Sequence, residues 1–366
     1  MGDARVGLLV VAAAVVLPAT TALQLHALSR LQAITETPLL MFSLTALLVL
    51  AALVAADDAW LGAFVALTAG QVLVRPTAYA LDVAQWVAFG ALVVVVARRL
   101  PEAWRSRVHL ILVLVGVLQA AYATLQWLGR DPIFVGWAPL AEPRHVMGTL
   151  GNPNYLGALL ALLLPIAPVW ALPLLAVGLV LGHSVLGCLA AAVGLMVRYG
   201  RGDWRLWAVS IAATGGALVA VALAKSASTL GTFGVRLTIW KLGLWDWALA
   251  TERSWGAQAV DVLLGKGPGS WYERVPGLQR RFWISGHEWF AQAHSEVVQL
   301  VYEWGVLGLV CLVGWLWTMR ARWRMPEAAA VAAFGVVCLG MFPLRLAVVA
   351  LPALVLLGLA TPPRTA

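Results

Sequence analysis

Long apolar runs alternate with short polar breaks along the whole chain. The runs fall at residues 6 to 28, 38 to 56, 59 to 74, 79 to 97, 108 to 128, 154 to 169, 170 to 182, 184 to 198, 206 to 224, 294 to 318, 328 to 342 and 344 to 360. Each predicts a helix, because lipid tolerates only backbone whose hydrogen bonds close within the segment or within a barrel. The expected fold is therefore all-α, a single integral membrane domain over residues 1–366 with twelve transmembrane helices. Several runs are shorter than the roughly 20 residues a straight span needs. Residues 155–197 have room for two or three helices. The first run follows Arg5 and precedes Ala19-Thr20-Thr21-Ala22, which imitates a secretory signal. Since everything downstream is also membrane sequence, it reads as an uncleaved first helix.

Composition agrees with a polytopic membrane protein. The chain is 62% hydrophobic and 11% charged, against about 25% charge in soluble domains. Cys188, Cys311 and Cys338 sit in apolar runs without paired spacing, so they indicate neither a disulfide framework nor a metal site. A net charge of +8 would suggest nucleic acid in a soluble protein, but here the basic residues gather between apolar runs. No nucleic-acid partner is expected; the charge reports topology.

Three arginine-bearing breaks set the orientation. Arg98, Arg99, Arg105 and Arg107 follow helix 4, Arg198, Arg201 and Arg205 follow helix 8, and Arg320, Arg322 and Arg324 follow helix 10. All fall on one side when twelve helices alternate, and the positive-inside rule makes that side cytoplasmic. Both termini are then cytoplasmic. The breaks at 129–153 and 225–293 face outward.

Candidate chemistry collects where helix 10 begins, at Ala293-His294-Ser295-Glu296. A histidine there can accept a proton from a hydroxyl near neutral pH, and Ser295 can cap the helix. With helical spacing, His294, Val301, Gly305 and Gly308 share one side, and Glu296, Gln299 and Glu303 lie roughly opposite. Glu303 is roughly 13 Å beyond His294 along the axis, at a depth where a carboxylate must be protonated or paired. The plainer alternative puts His294 and Glu296 among headgroups and Glu303 in a hydrogen bond within the bundle.

The outer stretch 225–293 is rich in basic residues. It carries Lys225, Arg236, Lys241, Arg253, Lys266, Arg274, Arg280 and Arg281 against Asp246, Glu252, Asp261, Glu273 and Glu288. This is either a solvated face or a surface for an anionic ligand such as pyrophosphate, which arginine grips with a planar fork. Arg236 to Trp247 predicts an interfacial helix anchored by tryptophans. Gly265-Lys266-Gly267-Pro268-Gly269-Ser270 is a turn and not a Walker sequence, although its N–H groups could form an anion nest. Gly148-Thr149-Leu150-Gly151-Asn152-Pro153-Asn154-Tyr155 precedes helix 6, with Asn154 as the expected cap and with Arg144 and His145 just before it.

Residues 148–157, residues 265–271 and His294-Ser295, followed nine residues later by Gly305, resemble the O-antigen ligase and polymerase family of bacterial envelope glycosyltransferases. The resemblance covers roughly residues 145–310. It implies a GT-C-like, all-helical membrane fold with a large periplasmic loop between helices 9 and 10, in the bacterial inner membrane. It also implies a glycan donor linked to undecaprenyl pyrophosphate, a lipid or glycan acceptor, and no cofactor or metal. On this resemblance His294 would activate or orient the acceptor hydroxyl and Arg236 would hold pyrophosphate. Arg280 or Arg281 would supply a second arginine. Arg144, Lys266, Ser295 and Glu303 complete the expected substrate-binding set. At Gly182-His183-Ser184-Val185 valine stands where the family often has arginine, so the subfamily stays open.

The expected activity is inverting, metal-independent glycan transfer of the ligase type. A polymerase or a protein O-oligosaccharyltransferase would share the fold and donor. A transporter is the rival from another class, and Asp82 and Glu303 are its only candidate mid-membrane carboxylates.

Overall fold

The structure, a computed structural model, describes residues 46–133, 146–200, 234–248, 254–281, 292–319 and 325–361. The expected helices at 6–28 and 206–224 lie outside the described residues. So do Arg144, His145, Arg201, Arg205, Arg320, Arg322 and Arg324.

Among the described residues all regular structure is helical. In chain order α1 covers Ala46–Ala55, α2 Ala59–Val74, α3 Ala80–Arg98, α4 Glu102–Trp127, α5 Pro153–Leu163, α6 Leu172–Leu181 and α7 Val185–Tyr199. There follow α8 over 234–248, α9 Trp255–Leu264, α10 Ser270–Arg281, α11 Glu296–Thr318, α12 Pro326–Gly340 and α13 Ala347–Ala360. Three of these, α3, α4 and α11, are long and apolar enough to cross a membrane. The other apolar helices are shorter, for local reasons. Pro165 lacks an N–H, so α5 ends at Leu163 and tightens into a 3-10 turn at Leu164–Ile166.

Side-chain caps open several helices. Asp58 accepts from Trp60 N and Leu61 N at 3.1 Å each. Asn152, rather than the expected Asn154, caps α5: its extended backbone turns the carboxamide onto Asn154 N at 2.8 Å, and Pro153 takes the first helical position. Ser184 caps α7 and Ser295 caps α11.

Helices α4 to α7 pack with α12 and α13 around Leu156, Leu159, Leu160, Leu163, Leu175 and Leu356. Glycine permits the closest approach. A Cβ on Gly187 would stand 2.9 Å from the backbone of Gly157, so α5 and α7 cross backbone to backbone, the small-residue packing that membrane helices favour. A second cluster joins α1, α2 and α3 to Trp315 and Leu357.

The two ends of the bundle differ chemically. At one, Arg98 and Arg99 pair with Asp58 and Asp57 at 3.3 and 2.6 Å, and Arg105 donates to Leu359 O at 3.3 Å. At the other, Trp86 Nε1 donates to Leu344 O at 2.6 Å, and the chain around His294 closes over the turn between α12 and α13. The helix expected over 294–318, now α11, is not continuous as the sequence suggested. Gly305, at φ 64° and ψ −160°, breaks α11 near its middle, and His294 precedes the helix in a left-handed conformation with φ 51°.

Candidate functional site

The break at Gly305 anchors the polar stretch that links α8 to α11. Its backbone occupies a region essentially reserved for glycine, which releases the carbonyls of Tyr302 and Glu303 from the helix. Lys266 N and Gly267 N donate to them at 2.8 and 3.0 Å. A Cβ on Gly305 would lie 2.5 Å from Gly265 N, and one on Gly265 would lie 2.4 Å from Glu303 C. The 265–269 turn is thus a docking element, with these N–H groups committed to carbonyls rather than facing an anion. Lys266 follows the same logic. Its ammonium is buried 2.5 Å from Asp261 Oδ2, while Arg75 Nη1 meets Oδ1 at 2.5 Å. Burial disfavours the Asp261 charge, but hydrogen bonds from Lys266 and Arg75 outweigh it and hold the carboxyl below its usual range.

The first two turns of α11 lie along Met341–Arg345, the connection between α12 and α13. Ser295 Oγ accepts from Val298 N at 3.3 Å. Glu296 N donates to Met341 O at 3.1 Å, and Glu296 Oε1 accepts from Leu344 N at 2.8 Å. Gln299 accepts from Ala293 N at 3.3 Å and donates to Glu303 Oε1 at 2.8 Å. Glu303 is wholly buried, and its Oε2 accepts from Arg345 Nη2 at 3.1 Å. The Arg345 guanidinium lies 5.8 Å from the Tyr272 ring centroid.

This framework holds the His294 turn. Trp240 Nε1 donates to Ala293 O at 2.5 Å, so α8 lies against the residue before the histidine. The imidazole meets Phe342 edge-on at 4.8 Å, and Phe342 meets Tyr155 at 6.3 Å. Tyr155 thereby brings the 148–155 turn to the histidine's side of the bundle. One turn before Trp240, Arg236 Nη1 donates to Gly340 O at 3.0 Å, while its Nε is buried without a partner. Burial first, and then the charge of Arg236, lower the His294 pKa from 6.5 to about 4. Burial likewise lowers that of Arg236. At neutral pH the site therefore presents an uncharged imidazole, a hydrogen-bond acceptor, within the field of a half-buried arginine.

Of the residues expected from sequence, the structure brings His294 and Arg236 together. Ser295 is a helix cap, and Glu303 is an ion-pair partner inside the bundle. Arg280 and Arg281 are exposed at the far end of α10, about 12 Å along its axis from Tyr272. Arg345 and Phe342 were not singled out, and Trp240 was expected only as a membrane anchor. Arg345 carried a signal nonetheless, as the lone charged residue between Glu327 and Arg364.

A cavity of about 730 Å³ opens beside this framework, between α3 and α11, and reaches Glu296, Tyr272 and Arg345. No protein-family model, curated protein or solved structure matches the chain.

Proposed function

We propose that the chain is an O-antigen ligase-like glycosyltransferase that moves a glycan from undecaprenyl pyrophosphate to an acceptor hydroxyl of the lipid A-core type, at the periplasmic face of a bacterial inner membrane. The observation that carries this reading is the His294 turn, held by Trp240 of α8 and by Phe342, on the helix connection to which Arg236 of the same α8 also bonds. Transfer of this kind forms a bond from the acceptor oxygen to the anomeric carbon and breaks the bond from that carbon to the pyrophosphate oxygen. A neutral imidazole can orient the hydroxyl and take its proton as the new bond forms. The departing pyrophosphate gains negative charge, which a fixed arginine in a partly dehydrated site stabilises. The unpartnered Nε of Arg236 fits that task. Attack opposite the leaving group inverts the anomeric centre, and no step needs a metal. A polymerase or a protein-directed transferase would use the same pair with another acceptor. Transport finds less support, because Glu303 is already neutralised by Arg345.

The test is transfer of a purified lipid-linked glycan to acceptor lipid by detergent-solubilised protein with chelator present. His294→Ala is expected to lower turnover by about 10² or more while the melting temperature holds. Arg236→Lys is expected to stay folded but lose most activity, since an ammonium cannot reproduce the guanidinium fork. Wild-type turnover by His294→Ala would remove the catalytic assignment.

A further inference from the structure

The 3-10 turn Pro343–Arg345, with Met341 and Phe342 before it, is fastened to the first turns of α11 at several points. Glu296 takes two of them: its N–H donates to Met341 O at 3.1 Å and its Oε1 accepts from Leu344 N at 2.8 Å. The rest lead to His294 by two routes. The short route is direct, since Phe342 meets the imidazole edge-on at 4.8 Å. The longer one is a chain of hydrogen bonds. Arg345 Nη2 donates to Glu303 Oε2 at 3.1 Å, Gln299 Nε2 donates to Glu303 Oε1 at 2.8 Å, and Ala293 N donates to Gln299 Oε1 at 3.3 Å. Gln299 and Glu303 are wholly buried.

Direction is built into this chain of bonds. A carboxylate only accepts, whereas an amide both donates and accepts. With one oxygen of Glu303 taken by Arg345, the other can pair only with the NH2 of Gln299, and that choice turns the Gln299 carbonyl toward Ala293 N. We infer that Arg345, Glu303 and Gln299 are positioning residues, which set the orientation of one amide and thereby fix the His294 turn against Phe342. The turn needs such a hold, because a φ of 51° is disfavoured for a residue with a side chain. Away from water each bond of the chain is strengthened, and a missing one is costly. Glu303 thus acts on the histidine through Gln299 and not on substrate. The consequence for catalysis rests on the proposed glycan transfer; the hold on the histidine does not.

Exchanging the two groups tests that direction. With Glu303→Gln alone, the new side chain offers its carbonyl to Arg345 and its NH2 to Gln299, which then flips and sets two N–H donors face to face at Ala293. The double variant Gln299→Glu, Glu303→Gln restores an acceptor opposite every donor. The readout is the imidazole Cε1–H resonance of His294 in full-length protein in detergent, made with isotope-labelled histidine and assigned by its absence from His294→Ala. In the wild type the neighbouring Phe342 ring displaces that signal from the position of a free histidine. Glu303→Gln is expected to lose the displacement and the double variant to regain it. A residue that merely adds stability would lower the melting temperature and leave the signal of the folded protein in place. Transfer of lipid-linked glycan is expected to follow the same order, with kcat about 10²-fold down in Glu303→Gln, KM held, and recovery in the double variant. An unchanged signal in folded Glu303→Gln would overturn the inference, as would loss of the displacement in the folded double variant. Fast hydrogen exchange at the Ala293 amide of the wild type would overturn it without any variant. Signals that behave as expected in a wild type that transfers no glycan would uphold the positioning and count against the glycosyltransferase reading.

Discussion

His294 adopts a backbone conformation that costs a side-chain-bearing residue about 1–2 kcal/mol, so its neighbours must over-determine it. They do so from both directions: Ala293 is held through Gln299 and Trp240, Ser295 caps α11, and the ring rests on Phe342. The same enclosure gives a pH signature. In the unfolded chain the imidazole takes a proton near pH 6.5, and in the folded chain only near pH 4. Its contribution to stability is therefore complete above about pH 6.5 and is lost as pH falls to about 4. The melting temperature of the wild type should drop across that window by more than that of His294→Gln. Parallel profiles for the two proteins would show that the imidazole is not shielded. His294 could be nominated from a local signal, a histidine at the mouth of an apolar run, whereas Arg236 stood out from the other basic residues of its stretch only through the family resemblance. Arg345 was not legible, since its meaning depends on Glu303, 42 positions earlier.

Helix boundaries were legible for a similar reason. Apolar runs at 79 to 97 and 184 to 198 became Ala80–Arg98 and Val185–Tyr199, and an interfacial helix expected from Arg236 to Trp247 spans 234–248. The break in α11 was hidden. A glycine in an apolar run serves equally for close helix packing and for a left-handed kink, and the choice rests with Gly265, 40 residues away. Side chains at either glycine would collide with the other segment's backbone, so the two form one joint. Gly305→Ala should cost about 3 kcal/mol or more, from its forbidden backbone region and the clash at 2.5 Å. Gly335→Ala, in regular helix with open space, should gain up to about 1 kcal/mol. Thermal unfolding of the two variants checks both signs. An unperturbed Gly305→Ala would mean that the docking turn does not depend on this break.

At the scale of the molecule, α3 connects two chemically distinct ends. Its 19 residues span about 28 Å, close to the roughly 30 Å hydrocarbon core of a bilayer. Tyr79 begins it beside Tyr272, with ring centroids 5.4 Å apart, and Arg98 ends it against Asp58. With α3 as a span, the His294 end and the arginine end would stand on opposite faces of a membrane. The positive-inside rule predicts a cytoplasmic arginine end, and lysine and arginine count in it even where acidic residues neutralise them, as Asp57 and Asp58 do here. An impermeant thiol reagent applied to intact spheroplasts can decide the orientation, in a background with Cys188, Cys311 and Cys338 changed to alanine. Gly277→Cys, exposed on α10, should be labelled. Ser106→Cys, exposed at the start of α4, should be labelled only after permeabilisation. The reverse pattern would put His294 and Arg236 in the cytoplasm, where a lipid-linked glycan displayed on the outer face could not reach them.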